Sequence, residues 1–251
     1  CIRHLASRAA YGADARDGRQ RVDSGTGGRV YDTIKRIEEV RAQVTPRMRI
    51  GAATDLRLDL GYQRYFDQYL QVQRNAEDGV TDEETLDEIG LLGLQVDHLA
   101  GRHLLTAGVE HQLETLEADR LESDGERDRQ AVFVQDDFTL LDGALTLVPG
   151  LRYDRDSLFG HQWSPKFAAR LDLTQNWLLR LGYGHGYRAP DFKQLLLRFE
   201  YTAVGYLVDG NPELRPARCP VLHTGSIWRS DPPPSLPAPV FPNLVVDPLE
   251  I

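Results

Sequence analysis

A chain of 251 residues has room for one large domain or two small ones. Its formal charge of -9, from 29 basic and 38 acidic residues, argues against a general nucleic-acid binder, whose footprint is a basic face. Hydrophobic content of 41% with a mean hydropathy of -0.42 suits a soluble protein, and suits a membrane β-barrel equally, because barrel strands place apolar residues only at alternate positions. No window approaches the ~18 consecutive apolar residues of a membrane helix, which excludes a helical membrane protein and leaves a barrel open.

The chain starts at Cys1, without a Met or an export signal. Such a start suits a cut fragment better than a lipidated mature end, so the missing signal is uninformative. Cys1 and Cys219 lie far apart and form neither a CxxC pair nor a metal-ligand cluster. Residues 1–30, rich in Gly, Arg, Asp and Ser without a clear period, read as loop.

From about Ile37 the pattern becomes a two-residue alternation. Leu56, Leu58, Leu60 and Tyr62 share a face opposite Arg57, Asp59, Gly61 and Gln63; Leu92, Leu94 and Val96 alternate with Gly93, Gln95 and Asp97. The same holds for Leu105, Ala107 and Val109, for Leu145, Leu147, Leu151 and Tyr153, and for Trp177, Leu179, Leu181 and Tyr183. Parity predicts that Leu58, Leu94, Val109, Leu147, Leu171 and Leu179 face lipid, while Arg57, Asp97, Glu110, Arg152, Asp172 and Arg180 face a lumen.

Short turns are expected at Gly51–Thr54, Ala100–His103, Asp142–Ala144 and Thr174–Asn176. Longer polar joins are expected at Asn75–Thr85 and Ala118–Asp128. Outer-membrane barrels alternate short periplasmic turns with long outer loops in this way. Strand-like segments such as Asp55–Val72 exceed the ~5–6 residues of a globular strand. Tyr62, Phe66, Tyr69, Phe138, Tyr153, Phe159, Trp163, Trp177, Tyr183 and Tyr187 lie near strand ends, where an interfacial girdle and ordinary strand enrichment explain them equally well.

The residues offer little chemistry. His98, His103 and His111 are the closest histidine set, and no carboxylate or Cys stands at a recognised ligand spacing, so neither a metal nor a cofactor is expected. The acidic run of Asp78, Asp82, Glu83, Glu84, Asp87 and Glu88 lacks the ligand order of a calcium loop and reads as a solvated outer loop. No phosphate-binding Gly loop or nucleophile elbow occurs, and no catalytic residue is assigned. The segment Asp231–Pro242 holds six prolines, which central strands exclude. A shift of reading frame near Cys219 would account for both this burst and the loss of alternation.

The stretch from Trp163 to Pro216 resembles the recurrent core of TonB-dependent receptor barrels. Ser164, Pro165 and Lys166 match the family's strand opening, and Gly182, Gly184, Gly186, Tyr187, Arg188, Ala189 and Pro190 match its Gly/aromatic run into Arg-Ala-Pro. The Leu-rich Phe192–Leu197 follows, and then Gly210, Asn211, Pro212, Leu214 and Pro216 in the order Gly-Asn-Pro-x-Leu-x-Pro. Each piece alone is common; the ordered set is specific. The resemblance runs from Ile37 to about Pro216. It divides the chain into a loop or leader (1–36), a barrel segment (37–218) and a divergent Pro-rich tail (219–251).

The resemblance implies an all-β fold: an antiparallel transmembrane β-barrel, here a partial barrel of roughly eight to ten strands from a family fold of ~22. It implies the outer membrane of a Gram-negative cell, with lipid and lipopolysaccharide around the wall. It further implies energy-coupled uptake of a scarce small-molecule ligand, such as a ferric siderophore or cobalamin. Coupling to the TonB complex would run through a plug domain that these residues do not contain. The motif residues are expected to shape the barrel and not to touch ligand. A passive porin-like or structural barrel is the alternative, and a secreted soluble β-protein or enzyme a distant third.

Overall fold

The computed structural model describes residues 2–22, 29–74, 80–201, 206–228 and 243–245. Nine long strands follow one another: β1 (Ile2–Val22), β2 (Arg29–Ile50), β3 (Thr54–Gln73), β4 (Val80–Ala100), β5 (His103–Ala118), β6 (Gly125–Leu140), β7 (Leu145–Asp156), β8 (Gly160–Asp172) and β9 (Trp177–Arg188). An excursion then holds the short helix α1 (Phe192–Leu196) and a hairpin of β10 (Arg198–Tyr201) with β11 (Tyr206–Asp209). The chain returns as β12 (Ala217–Trp228) beside β9 and ends its described part with β13 (Asn243–Val245). The result is an 11-stranded antiparallel meander in which β1 and β13 are the two ends and do not pair with each other.

Register follows from the alternation. Directly opposed residues in an antiparallel ladder share a face. One unbroken row reads Leu58, Leu94, Val109, Val132, Tyr153 and Trp163 across β3 to β8. The next row toward the short turns reads Leu56, Val96, Ala107, Val134, Leu151 and Pro165. The opposite face carries Arg57, Gln95, Gly108, Phe133, Arg152 and Ser164. Leu147, Leu171 and Leu179 fall on the aliphatic face and Asp97, Glu110, Asp172 and Arg180 on the charged one, as parity predicts. Large side chains of the aliphatic face stand bare, with Val132 55% and Trp163 56% exposed.

The short turns fall where expected. Gly51 (φ 66°) and Gly101 (φ 62°) take the left-handed backbone that closes the tight turns after β2 and β4. A single 3-10 turn, Leu141–Gly143, joins β6 to β7.

Three expectations need correction. Of residues 1–30, expected to be loop, 2–22 form β1 and pair with β2, with Ala9 opposite Ala42 and Tyr11 opposite Val40; Cys1 and 23–28 lie outside the described residues. Ala fills the apolar positions there, which hides the period while the backbone ladder persists. The acidic run is not a loop either: Asp82, Glu83, Glu84, Asp87 and Glu88 lie in β4, and Asp78 is outside the described residues. A strand longer than the ~9–11 residues that cross a bilayer continues into water, where acids on either face carry no penalty. Finally, β12 crosses the expected break at Cys219 intact, so the sheet has more strands than the eight to ten counted from the sequence. Its alternation is nevertheless weak: Thr224 and Ser226 sit on the aliphatic face and Val221 and Ile227 on the other. Cys1 and the Pro-rich Asp231–Pro242 lie outside the described residues.

Candidate functional site

The end of the sheet opposite the short turns holds its most tightly packed side chains. There α1 is fixed by a capping box, in which the Asp191 carboxylate accepts from the Gln194 backbone N–H (2.8 Å) and the Gln194 side chain accepts from the Asp191 N–H (3.1 Å). The helix buries Phe192 and Leu195, which are 3% and 7% exposed. Gly125, the first residue of β6, makes room for the Phe192 ring, since a Cβ there would stand 2.6 Å from it. Gly210 does the same for the end of α1: a Cβ would come within 2.8 Å of the Leu195 carbonyl carbon. The Gly210 N–H donates to the Leu197 carbonyl (2.6 Å) and the Asn211 N–H to the Gln194 carbonyl (2.9 Å). Two motif groups distant in sequence, Arg188–Pro190 and Gly210–Pro216, are thereby joined through one helix.

A buried ion pair locks this excursion onto the wall. Arg127 and Asp156 have side chains only 5% and 4% exposed. The Arg127 Nε donates to Asp156 Oδ2 at 2.9 Å, Nη2 donates to the same oxygen, and Nη1 donates to the Pro190 carbonyl at 3.2 Å. The other carboxylate oxygen accepts from the N–H groups of Leu158 (2.9 Å) and Phe159 (3.3 Å). The guanidinium also lies 5.2 Å from the centre of the Phe159 ring. One pair thus ties β6, the β7–β8 connection and the start of the excursion.

A second anchor is Arg120. It pairs with Glu83 of β4 and lies between the Tyr69 and Phe199 rings, at 5.5 and 4.6 Å from their centres. Its carbonyl accepts from the Arg198 N–H at 2.7 Å, and Arg198 reaches Glu122 at 2.8 Å. Tyr69 and Phe159, candidates for an interfacial girdle in the sequence, lie against these two cations.

Below this clasp the charged face is largely neutralised within itself. Arg57 pairs with Asp59 (2.7 Å), Arg152 with Asp154 (2.9 Å) and Glu110 (2.7 Å), and Arg170 with Asp172 (2.9 Å). Three of these join residues two apart on one strand, the spacing that puts both on one face. A polar cleft of about 370 Å³ lies here, lined among others by Glu110, Arg129, Arg152, Ser164 and Tyr187. It suits hydrogen bonding to a polar guest.

The structure disperses the histidines. His98 bonds Thr54, His103 bonds Asp136 and His111 approaches Asp128, so the three have separate partners. Among the remaining motif residues, Lys166 on β8 sits directly between Gly150 and Gly184. Ser164 lies on the charged face, Pro165 on the aliphatic one beside Leu151, and Gly182 opposite His223. Sequence reasoning missed Arg127, Asp156, Arg120 and Gly125. Arg120, Gly125 and Arg127 fall in the stretch read as a polar join, Asp156 looks like any other polar strand residue, and nothing local marks an ion-pair partner 29 residues away.

Residues 4–218 match the family described as TonB dependent receptor-like, beta-barrel. An iron-regulated outer membrane virulence protein of Vibrio cholerae is 28% identical over 155 residues, 60% of this chain and 23% of that protein. A ferric enterobactin receptor of Pseudomonas aeruginosa is 35% identical over 65 residues, 26% of this chain and 9% of that protein. The matched segments therefore span less than a quarter of the length of these relatives. Among solved structures, a mutant ferric enterobactin receptor of Pseudomonas aeruginosa superposes with a TM-score of 0.66 at 16% identity, covering 89% of this chain and 41% of that one. A siderophore receptor of Acinetobacter baumannii gives 0.61 at 16% identity, covering 89% and 42%. With the family matched over most of the chain, and its fold found in an antiparallel wall with one bare aliphatic face, the chain belongs to the TonB-dependent receptor β-barrel family.

Proposed function

We propose that this chain is part of the wall of an outer-membrane receptor that takes up a ferric siderophore, with energy delivered by the TonB complex of the inner membrane. The observation that carries the reading is the division of the sheet into two faces. Continuous rows of bare Leu, Val and aromatic residues on one side make a patch far too extended for a monomer in water, and the other side is charged. The aliphatic rows meet lipid, the charged face lines the lumen, and the clasp stands at the outer mouth beyond the apolar band. The relatives, an iron-regulated outer membrane protein and a ferric enterobactin receptor, favour an iron chelate over cobalamin as cargo. The ligand enters from outside and meets a polar lumen; the wall binds and guides it and carries out no bond chemistry.

The test is uptake of radioiron-labelled siderophores, a catecholate among them, by cells producing the receptor from its complete gene. Uptake should stop when TonB is deleted or a protonophore is added. Uptake unaffected by either treatment would overturn the coupling and favour a passive pore.

A further inference from the structure

One row of the bare aliphatic face changes character along its length. Directly opposed residues read Leu60, Leu92, His111, Gln130, Arg155 and His161 from β3 to β8. This row adjoins that of Val109, Val132, Tyr153 and Trp163, on the side of the long connections. Strands of a membrane barrel tilt by ~35–45°, so a hydrogen-bonded row runs obliquely to the membrane plane. The row is apolar on β3 and β4 and polar from β5 onward, as a row is where it climbs out of the apolar band. Arg155 and His161 therefore stand on the outside of the wall at headgroup level, where an outward Arg costs far less than at the midplane.

The polar groups around Arg155 have partners, and Arg155 does not. Asp128, on the same face, accepts from the Gln130 side chain (3.2 Å) and bonds His111 (3.1 Å). The Tyr153 phenol bonds His161 Nδ1 at 2.6 Å, and the Tyr153 and Trp163 rings lie 4.7 Å apart between centres. Arg155 is exposed and makes no ion pair among the described residues. With the phenol donating to Nδ1, a neutral His161 carries its proton on Nε2, available to an acceptor. Two donor groups thus stand on directly opposed residues of β7 and β8, beside an indole that is more than half exposed. An interfacial girdle needs only amphipathic rings. A cation without a counter-charge, next to an imidazole fixed against those rings, calls for an anion from the membrane.

We propose that Arg155, His161 and Trp163 form a site on the outside of the wall for the phosphorylated sugar headgroup of one outer-leaflet glycolipid. The phosphate takes the Arg155 guanidinium through charge-assisted hydrogen bonds and accepts from His161 Nε2. The C–H face of the sugar lies on the exposed Trp163 indole. A phospholipid would supply the phosphate but no ring to cover that indole. The inference rests on the reading of the aliphatic face as lipid-facing, and adds to a general lipid coat one position at which a particular headgroup is held.

Native mass spectrometry of the receptor produced from its complete gene counts retained lipid directly. The probes are a diphosphorylated lipid A, the same lipid with its phosphates removed, and phosphatidylglycerol. We expect one lipid A to stay bound, with about tenfold lower retention of either other probe, the worth of one hydrogen-bonded charge. Arg155→Gln should lower lipid A retention by a similar factor. Trp163→Leu should narrow the preference for lipid A over phosphatidylglycerol. Arg180→Gln, on the charged face, should change nothing. Heat-modifiable migration reports whether the barrel is in place in each variant. A folded receptor that keeps lipid A equally well without Arg155, or keeps phosphatidylglycerol as well as lipid A, overturns the headgroup site. Loss of lipid A in Arg180→Gln and not in Arg155→Gln overturns the assignment of faces on which the site rests.

Discussion

The middle of the wall and the clasp at its long-loop end are built on opposite principles. In the middle, the rows of Leu58 and Leu56 cross six strands without burying a large side chain, and order comes from the backbone ladder and from parity. At the clasp, Phe192, Leu195, Leu116, Arg127 and Asp156 are buried as in a globular core. The difference shows where side-chain identity matters: a wall row tolerates any aliphatic residue, whereas the clasp requires particular partners.

The largest expected effect tests the ladder itself. β1 offers one edge of 21 residues, and β1 and β13 do not close on each other. Hydrocarbon cannot satisfy unpaired N–H and C=O groups, each costing several kcal/mol. These 251 residues expressed alone should therefore aggregate and give no heat-modifiable, protease-resistant monomer in outer membranes. Appearance of such a monomer would mean that a smaller closed barrel forms.

Next comes the buried pair of the clasp. Arg127→Met leaves Asp156 buried without its counter-charge and should cost about 3–5 kcal/mol. The loss should be local, seen as fast amide exchange and protease cutting in 189–216 with the wall still protected. Replacing both partners, Arg127→Met with Asp156→Leu, should recover much of the loss, because no orphaned charge remains. Equal loss in the single and double variants would show that the bonds to Pro190, Leu158 and Phe159 matter more than the charge balance.

Parity in the wall is sharpened by a paired substitution on one strand. Leu94→Arg places a cation on the bare aliphatic face, at an expected cost of about 2–4 kcal/mol near the membrane midplane. Gln95→Arg, one residue on, points to the charged face and should cost much less. Denaturant titration of the folded receptor in lipid compares them, and equal costs would refute the assignment of faces.

How much of this could be read from the sequence follows the same division. Leu56 to Tyr62 and Leu92 to Val96 announce their faces because composition alternates, and Gly51 and Gly101 announce the turns because only special backbone closes them. The strand of residues 2–22 stayed hidden because Ala9, Ala13 and Ala15 make a poor apolar face. The acidic run hid the start of β4 because a strand above the apolar band has no reason to alternate. In the clasp, the motifs at Arg188–Pro190 and Gly210–Pro216 were visible as words, but what holds them was not. Arg127 and Asp156 are i, i+29 partners whose burial is decided by where α1 comes to rest.

The smallest expected effect isolates the helix from the rest of the clasp. The Asp191 carboxylate satisfies one of the unpaired N–H groups that begin any helix, and α1 has only five residues over which to recover that loss. Asp191→Ala should cost about 1 kcal/mol of local stability, or roughly fivefold in the population of the opened helix. Amide exchange at Leu195, whose N–H donates to the Asp191 carbonyl at 3.2 Å, reads that opening directly. Asp191→Asn keeps an acceptor at the cap and should behave nearly as wild type. Phe192 and Leu195 would still be drawn into the cleft beside Gly125, so the wall and the Arg127–Asp156 pair should not respond. If Asp191→Ala instead frees the whole of 189–216, the cap and the ion pair form one cooperative unit, and the clasp is held less by its buried charges than by the helix they lie beside.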